Sequence, residues 1–212
     1  KNFPELSIIL IKNHDVYALN KINPRDSDFL REKEIVMTNE NVRATILTKL
    51  ELDSNSLLWD IGSGSGSVSV AAACQNLSCE VHAIEKNPNA RDLTARNAEK
   101  FHLHNIQIHH GNAAEIIKTL PVPSHVFIGG SGGELKNIFN AIAKIQSPVR
   151  VVTACVTLEN FHQAYKLMSD AKNFEVTQIS VTSSRALNED LTLMKANNPV
   201  MILSANYFQE LS

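Results

Sequence analysis

Two acidic residues and a cluster of glycines lie at the ends of apolar runs that we predict to be β-strands. Asp60 stands at the end of the first run, just ahead of Gly-Ser-Gly-Ser-Gly at residues 62–66, and Glu85 ends the next run. Glycine adopts positive φ angles and allows a ligand to approach the main chain. A carboxylate at the end of the second strand can accept hydrogen bonds from both hydroxyls of a ribose. These residue types at these positions predict a nucleoside-binding site.

The glycine spacing at residues 62–66 is Gly-x-Gly-x-Gly, which differs from the Gly-x-Gly-x-x-Gly of dinucleotide-binding folds. An acidic residue just ahead of the first glycine is typical of enzymes that use S-adenosylmethionine (AdoMet), which carries an ammonium, a carboxylate and a sulfonium but no pyrophosphate. We therefore expect Asp60 to orient the loop and to attract the amino group of AdoMet. The predicted loop contacts are Gly62, Ser63, Gly64, Ser65 and Gly66.

A further element of this site follows the third predicted strand. In the AdoMet-binding fold, this position normally carries an acid or an amide that reaches the adenine amino group, helped by a neighbouring backbone N–H. Asn112 and Ala113 occupy it here, and we expect the Asn112 amide oxygen to accept that hydrogen bond. Each feature alone could be a plain turn, a loop cap or a solvated strand end. Their occurrence at three successive strand ends favours an AdoMet site.

Strands and helices alternate along the chain from about residue 39 to residue 171, which predicts a parallel sheet with right-handed crossovers. The last two apolar runs, 175–183 and 200–207, have no helix between them and predict an antiparallel hairpin. Together these elements predict the α/β fold of Rossmann-like class I AdoMet-dependent methyltransferases, a mostly parallel seven-stranded sheet with a C-terminal antiparallel hairpin. The other predicted strands are 57–61, 80–84, 106–109, 125–128 and 149–154, and the predicted helices are 39–50, 67–75, 87–101, 113–120, 134–145 and 158–171.

Composition narrows the class of protein. The 212 residues are 43% apolar, enough for one domain with its own core, and the net charge of −2 argues weakly against a dedicated nucleic-acid binder. No apolar stretch is long enough to predict a membrane span. The three cysteines form no Cys-x-x-Cys pair, which is typical of reduced thiols in the cytoplasm. The histidines between residues 102 and 110 span a helix end, a turn and a strand end, so we expect no metal site.

A second glycine cluster, Gly-Gly-Ser-Gly-Gly at residues 129–133, follows the fourth predicted strand. In methyltransferases of this fold, that position faces the acceptor substrate. DNA and protein-glutamine methyltransferases carry Asn-Pro-Pro-Tyr there, so its absence from this position argues against base flipping and amine chemistry. All eight glycines of the chain lie between residues 62 and 133, which indicates that permissive backbone is needed at these strand ends.

The segment Ile-Gly-Gly-Ser-Gly-Gly-Glu-Leu at residues 128–135 resembles the signature of the decarboxylating precorrin methyltransferases of cobalamin biosynthesis. Other segments agree with this family in the same order. Residues 22–29 are similar to its Gly-Ile-Pro-Asp-Asp-Glu-Phe opening, although the glycine is lost and an asparagine is inserted, and residues 37–43 resemble its Met-Thr-Lys-x-Glu-Val-Arg segment. Residues 152–159, 185–187 and 198–200 also fit, so that the resemblance covers about residues 22–207.

This resemblance implies methylation of C-15 of a precorrin or cobalt-precorrin, together with decarboxylation of the acetate on ring C. It implies that Thr38 closes over AdoMet and that Ala113 contacts it. The N–H groups of the second glycine cluster would receive an acetate or propionate carboxylate. Arg185 is the cation expected to bind a substrate carboxylate, although it could equally be a surface arginine. The residues implied for substrate binding and chemistry are Gly129, Gly130, Ser131, Gly132, Gly133 and Arg185.

The resemblance extends to domain organisation and partners. Residues 3–10 resemble the last strand of the tetrapyrrole methylase that precedes this domain in fused members of the family. We therefore expect a domain remnant or linker at 1–21 and the methyltransferase domain at 22–212, with a tag or a native N-terminal strand as the alternative. The family implies a homotetramer, with no nucleic-acid partner and no membrane. Two other functions stay open: an AdoMet-dependent RNA-base methyltransferase and a non-catalytic AdoMet-binding module.

Overall fold

The computed structural model describes residues 23–188 and 190–207, and the predicted domain remnant at residues 1–21 lies outside them. The strands in the described part are β1 (Leu57–Ile61), β2 (Glu80–Glu85), β3 (Ile106–His110), β4 (His125–Ile128), β5 (Val149–Cys155), β6 (Lys172–Ile179), β7 (Thr182–Ala186), β8 (Thr192–Ala196) and β9 (Val200–Tyr207). The α-helices are α1 (Glu40–Leu50), α2 (Ser67–Gln75), α3 (Pro88–Lys100), α4 (Ala113–Ile116), α5 (Leu135–Ile142) and α6 (Leu158–Met168).

The main sheet has seven strands in the order β3-β2-β1-β4-β5-β9-β6. Strands β1 to β5 run parallel, and β9 lies antiparallel between β5 and β6. This order confirms the predicted class I methyltransferase fold, including the antiparallel pair at its C-terminal end. The chain order reverses between β1 and β4, and open α/β sheets bind ligands at the carboxyl ends of the strands beside such a reversal.

Apolar layers cover both faces of this sheet. On one face, α1 and α2 pack over a cluster that includes Ile46 and Leu58. On the other face, α5 and α6 pack over a cluster that includes Ile61, Ile138 and Met168. Burial on both faces is the usual state of a parallel sheet, and it leaves the ends of the strands as the place for a polar site.

Asparagine side chains cap three of the helices. Asn39 accepts a hydrogen bond from the backbone N–H two residues on at 3.0 Å and so begins α1. Asn87 caps α3 and Asn112 caps α4 through the same contact, at 2.9 and 2.8 Å. Each cap satisfies an N–H group that has no acceptor within its helix, which fixes where the chain turns as it leaves the sheet.

Three helices end earlier than the apolar pattern predicts. Helix α4 ends at Ile116 instead of about residue 120, α5 ends at Ile142 instead of 145, and α6 ends at Met168 instead of 171. The residues that follow still pack against the core: Ile117 is buried, and Ile145 and Ala171 are partly buried. The apolar periodicity therefore continues for several residues beyond the helical hydrogen bonds.

A second, two-stranded sheet of β7 and β8 was missing from the predicted strands. Every described residue from 182 to 199 is exposed, so these strands lack the alternation of buried and exposed residues that marks a strand in a sequence. The hairpin carries four exposed apolar side chains, Leu187, Leu191, Leu193 and Met194. An isolated two-stranded hairpin is marginally stable in water, which makes this surface a candidate contact for another chain.

Candidate cofactor and substrate site

A cavity of about 660 Å³ lies at the carboxyl ends of β1, β2, β4 and β5. Both glycine clusters, Glu85 and the start of α4 form its floor and one side. A segment between residues 26 and 39, which precedes α1, forms another side. The volume lies within the range of pockets that hold small molecules and cofactors. Residues that the sequence places far apart therefore line one site.

The first glycine loop is held in a shape that only glycine permits. Gly62, Gly64 and Gly66 have φ angles of +73°, +58° and +74°. A Cβ on Gly66 would lie 2.7 Å from the side chain of Thr94, and a Cβ on Gly64 would lie 2.8 Å from the carbonyl oxygen of Val36. Both the backbone conformation and the neighbours exclude larger residues, so the loop presents its main chain to the cavity.

Glu85 connects the first glycine loop to the start of α3. One carboxylate oxygen accepts a hydrogen bond from the Gly64 N–H at 2.9 Å, and the other accepts one from the Asn87 N–H at 2.9 Å. The side chain is half-buried and lines the cavity. Each carboxylate oxygen has a further lone pair, so the expected hydrogen bonds from ribose hydroxyls remain compatible with this geometry.

Asp60 lies beneath the loop and is fully buried, outside the residues that line the cavity. The Ser69 hydroxyl donates a hydrogen bond to one of its carboxylate oxygens. The other oxygen has no hydrogen-bond partner among the described residues. Burial raises the pKa of Asp60 to about 6, and the Ser69 hydrogen bond opposes that rise. Asp60 thus connects β1 to α2 through Ser69, and its expected roles in orienting the loop and attracting the amino group of AdoMet stay predictions.

Asn112 and Ala113 line the cavity, as the sequence predicts. The Asn112 amide oxygen accepts the hydrogen bond from Ala114 that begins α4, so the helix cap and the expected adenine contact share one acceptor atom. A carbonyl oxygen accepts two hydrogen bonds, which leaves room for both.

The second glycine cluster meets the first at the centre of the cavity. The N–H groups of Gly129 and Gly130 donate to the carbonyl oxygen of Ile61 at 2.9 and 3.2 Å, which ties this loop to the end of β1. A Cβ on Gly130 would meet no atom within 4 Å, so that position faces open space. Ser131 and Gly132 also line the cavity, whereas Gly133 is not among the lining residues.

The segment before α1 is anchored by a buried arginine. The Arg43 guanidinium donates to the carbonyl oxygens of Pro24 and Thr38, and to the side chains of Asn23 and Asp26. Burial lowers the pKa of Arg43, and the Asp26 carboxylate opposes that change. This anchor holds Thr38 at the cavity, where the sequence predicts it.

The same segment also touches the first glycine loop. The Ser65 N–H donates to the carbonyl oxygen of Val36 at 3.2 Å. Val36, Met37 and Thr38 all line the cavity. The segment before α1 therefore forms a wall of the site, and Arg43 sets its position.

Arg185 does not join these residues. It lies on β7, opposite Leu193 of β8, is exposed, and is not among the residues that line the cavity. The cationic residues that do line it are Arg31 and Lys86. Neither residue was predicted from the sequence. Lys86 could have been, because it directly follows Glu85 at the end of a predicted strand, where ligands bind.

Neither a metal site nor a membrane span is found in the part of the chain that the structure describes. No three His, Cys, Asp or Glu side chains of residues 23–188 and 190–207 come together in a way that could hold a metal ion. Within the same ranges, no helix is both long and apolar enough to cross a membrane. One of the closely spaced histidines contacts another histidine: Nε2 of His109 lies 2.9 Å from Nδ1 of His82 on the neighbouring strand.

Comparison of this chain with family models, curated proteins and solved structures identifies the same family each time. A family model for the precorrin methyltransferase domain matches residues 29–206. The cobalt-precorrin-6B C(15)-methyltransferase (decarboxylating) of Salmonella typhimurium is 37% identical over 183 residues, which cover 85% of this chain and 94% of that protein.

Solved structures agree with this result. The precorrin-6y C5,15-methyltransferase of Geobacter metallireducens has a TM-score of 0.81 and 31% identity, covering 90% of this chain and 98% of that chain. The C-terminal domain of the precorrin-6Y C5,15-methyltransferase of Rhodobacter capsulatus has a TM-score of 0.76 and 26% identity, with 87% and 97% covered.

Proposed function

The chain belongs to the precorrin methyltransferase family, and we propose that it transfers a methyl group from AdoMet to C-15 of a precorrin and decarboxylates the ring C acetate, whose carboxylate leaves as CO2 while its methylene carbon stays on the ring as a methyl group. The observation that carries this proposal is the convergence of both glycine clusters on one cavity. The first cluster has the features of a cofactor loop, and the second offers open backbone at the position where this fold receives its acceptor.

The residues around the first cluster fit AdoMet. The loop exposes its backbone without side chains, Glu85 offers a carboxylate at the rim, and Asn112 and Ala113 stand at the next strand end. When bound, AdoMet supplies an electrophilic methyl group on a sulfonium. We assign the ribose to Glu85, the adenine to Asn112 and Ala113, and the methionine part to the loop at residues 62–66, with Thr38 closing over them.

The protein contributes mainly position and shielding to methyl transfer. The acceptor carbon must lie in line with the bond between the methyl group and the sulfur, and correct alignment can supply a large part of the barrier reduction. Gly130 leaves space for the edge of a flat macrocycle to reach this point. Val36 and Thr38 line the same region and would shield it from water once AdoMet and the macrocycle are bound. No strong protein base is required, because the carbon is already electron-rich.

Decarboxylation places a different demand on the site. The carbon–carbon bond to the carboxylate breaks, CO2 leaves, and the electron pair passes into the conjugated macrocycle. The protein needs to hold the acetate carboxylate where water solvates it poorly, since desolvation destabilises the charged carboxylate and so lowers the barrier to loss of CO2. The apolar side chains of Val42, Val68 and Phe127 at the cavity wall favour such a place.

The two alternative functions receive less support. An RNA-base methyltransferase would be expected to show a basic face, and the net charge of −2 offers no basic excess for it. A non-catalytic binding module would not need an open substrate side, yet Gly130 keeps one beside the cofactor loop. The names of the relatives support the precorrin reaction rather than either alternative.

Our proposal includes a homotetramer in the cytoplasm. The exposed apolar residues Leu187, Leu191, Leu193 and Met194 on the β7–β8 hairpin support assembly, because burial of exposed apolar side chains between chains is favourable. Cys79 and Cys155 are free, buried thiols, which fits a reducing compartment. Light scattering tests the assembly: Leu193→Glu with Met194→Glu should convert the tetramer to smaller species.

We also propose that the full-length protein carries a tetrapyrrole methylase before residue 22. The relative from Rhodobacter capsulatus supports this, because its matching part is the C-terminal domain of a larger enzyme. The coding sequence upstream of Lys1 tests the fusion directly.

One experiment tests the reaction. The protein is incubated with AdoMet carrying a labelled methyl group and with a metal-free precorrin, and in parallel with its cobalt-containing form. We expect label in the tetrapyrrole and release of CO2 with at least one of them. Bound AdoMet without either event would contradict the proposal, and methylation of tRNA at physiological salt would favour the RNA enzyme instead.

A further inference from the structure

The side chain of Lys86 reaches from the cofactor rim to the second glycine cluster. We propose that its ammonium binds a substrate carboxylate that is retained in the product, either an acetate or a propionate. This inference rests on the proposed function for the nature of the substrate. It assigns to Lys86 the role that the sequence pattern assigns to Arg185.

The position of the ammonium follows from Gly132. A Cβ built on Gly132 would lie 2.5 Å from Nζ of Lys86, so the ammonium occupies the space that any larger residue would need. Gly132 also has a φ of +58°, which a glycine adopts without strain. The absence of a side chain thus brings a cation directly onto the backbone of the substrate-facing loop.

The base of the Lys86 side chain is fixed independently. Lys86 follows Glu85 at the end of β2, and its carbonyl oxygen lies 3.2 Å from Nε2 of His110, which donates to it. The side chain is exposed and lines the cavity. The ammonium is therefore open to a ligand, although the carbonyl oxygen of the same residue is held by His110.

The charge of Lys86 has no protein counterion in the described ranges. None of the ion pairs found there includes it. The nearby acids of the cavity have other donors, because Glu85 accepts from the N–H groups of Gly64 and Asn87, and Glu134 accepts from the side chain of Asn137. Arg31, the other lining cation, lies 3.9 Å from Asp26. Lys86 is thus the better placed cation for an incoming anion.

The chemistry of the reaction decides which carboxylate this is. A carboxylate that leaves as CO2 gives up its negative charge, so an ammonium paired with it would stabilise the starting state and raise the barrier. A carboxylate that stays in the product keeps its charge throughout. Pairing with Lys86 then improves binding and alignment without opposing decarboxylation. This is why we assign a retained side chain, and not the ring C acetate, to Lys86.

The test compares Lys86→Met, which keeps the length of the side chain but removes its charge, with Lys86→Arg. The matched control is Lys136→Met on α5, an exposed lysine outside the cavity lining. We expect Lys86→Met to raise the KM for the precorrin about tenfold or more, which corresponds to about 1.4 kcal/mol. The AdoMet Kd should stay within about twofold, and the ratio of CO2 released to methyl transferred should not change. Lys86→Arg should recover most of the loss.

Two outcomes would overturn the assignment. A weaker AdoMet Kd with an unchanged precorrin KM would place Lys86 on the cofactor. Faster decarboxylation relative to methylation in Lys86→Met would mean that the ammonium holds the leaving acetate. If the wild-type protein turns over no precorrin, the proposed function fails on its own. Binding of a stable porphyrin with acetate and propionate side chains then decides: weaker binding to Lys86→Met supports the carboxylate site, whereas equal or absent binding removes it.

Discussion

Gly62 packs backbone to backbone against Gly130, so closely that a Cβ on Gly62 would lie 2.3 Å from the Gly130 carbonyl oxygen. The contact joins the end of β1 to the end of β4, on the two sides of the reversal in strand order. The cofactor loop and the substrate loop therefore share one surface. A displacement of either loop would strain this contact, so that under the proposed function the methyl donor and the acceptor keep a fixed relation.

Gly62→Ala is expected to damage this contact. The new Cβ would overlap the Gly130 backbone, which cannot move aside as a flexible side chain could, and alanine at a φ of +73° is strained as well. Strain of this kind costs roughly 1–3 kcal/mol. We expect a lower free energy of unfolding in denaturant titrations together with weaker AdoMet binding. Gly130→Ala, which meets no atom within 4 Å, is the control and should unfold as the wild type does.

Gly130→Val should block the substrate without affecting the binding of AdoMet. The valine side chain would project into open cavity space where we place the edge of the macrocycle, and the backbone at Gly130 is not in the left-handed region. We therefore expect methyl transfer to be lost while the AdoMet Kd measured by calorimetry stays near that of the wild type. Weakened AdoMet binding in this variant would show that the two clusters do not divide their roles in this way.

Arg43→Met should loosen the wall of the cavity. It leaves the carbonyl oxygens of Pro24 and Thr38 and the carboxylate of Asp26 without their buried donor. Removing one partner of a buried charged pair typically costs about 3–5 kcal/mol. We expect a loss of that order in denaturant titrations and a higher AdoMet Kd.

The matched control for Arg43 is Arg31→Ala, which removes an exposed arginine from the same acid. It should change the unfolding free energy by about 1 kcal/mol or less. Arg43→Lys should recover only part of the stability, because an ammonium lacks the planar fork that reaches four acceptors. Full recovery with lysine would contradict the role of the guanidinium geometry.

Two features could be predicted from the sequence. They are the alternation of strands and helices, and which strand ends contribute residues to the site. Leu58 and Ile61 in β1 are apolar because both faces of a parallel sheet are buried, and that signal is strong. The β7–β8 hairpin gave no such signal because both of its faces are exposed. Its residues show neither the period of a buried strand nor that of a helix.

The contacts between residues of the site were harder to predict than the identity of those residues. Gly62 and Gly130 are both glycines, but only the folded chain shows that one excludes a Cβ and the other does not. Arg185 and Lys86 are both cations, and only the tertiary structure shows that Arg185 lies on an exposed hairpin whereas Lys86 lines the cavity. Distances between strand ends depend on the register and reversal of the sheet, which local sequence patterns do not encode.

Glu85→Gln should weaken both the first glycine loop and the binding of AdoMet. An amide in this place keeps one acceptor but turns an NH2 group toward the N–H of Gly64 or Asn87, so one hydrogen bond in the loop is lost. Hydrogen bonds to charged groups contribute about 1.5–3 kcal/mol. We expect an AdoMet Kd raised by about tenfold or more in calorimetry. Glu99→Gln, at an exposed position on α3, is the control, and an equal effect there would contradict the assignment.

Asp60 should make the stability of the protein depend on pH in an unusual direction. Burial raises the pKa of this carboxyl from 3.8 to about 6 in the folded protein, so the folded state binds the proton more tightly than the unfolded state does. The stabilisation linked to the proton is complete below about pH 4 and is lost as the pH rises through about 6. With roughly 1.4 kcal/mol for each unit, the loss is about 3 kcal/mol.

The measurement is the unfolding free energy of the wild type minus that of Asp60→Asn, taken between pH 4 and pH 8 by denaturant titration. This difference should fall as the pH rises through about 6 and then stay level, because asparagine does not ionise. Asp53→Asn is the comparison, since hydrogen bonds from Asn55 and Ser56 lower the pKa of exposed Asp53. Its difference should instead stay nearly level from pH 8 down to about pH 4 and fall only when the titrations are extended to lower pH, where the lowered pKa of Asp53 lies. A flat profile for Asp60→Asn would mean that the carboxylate beneath the loop is solvated and not buried.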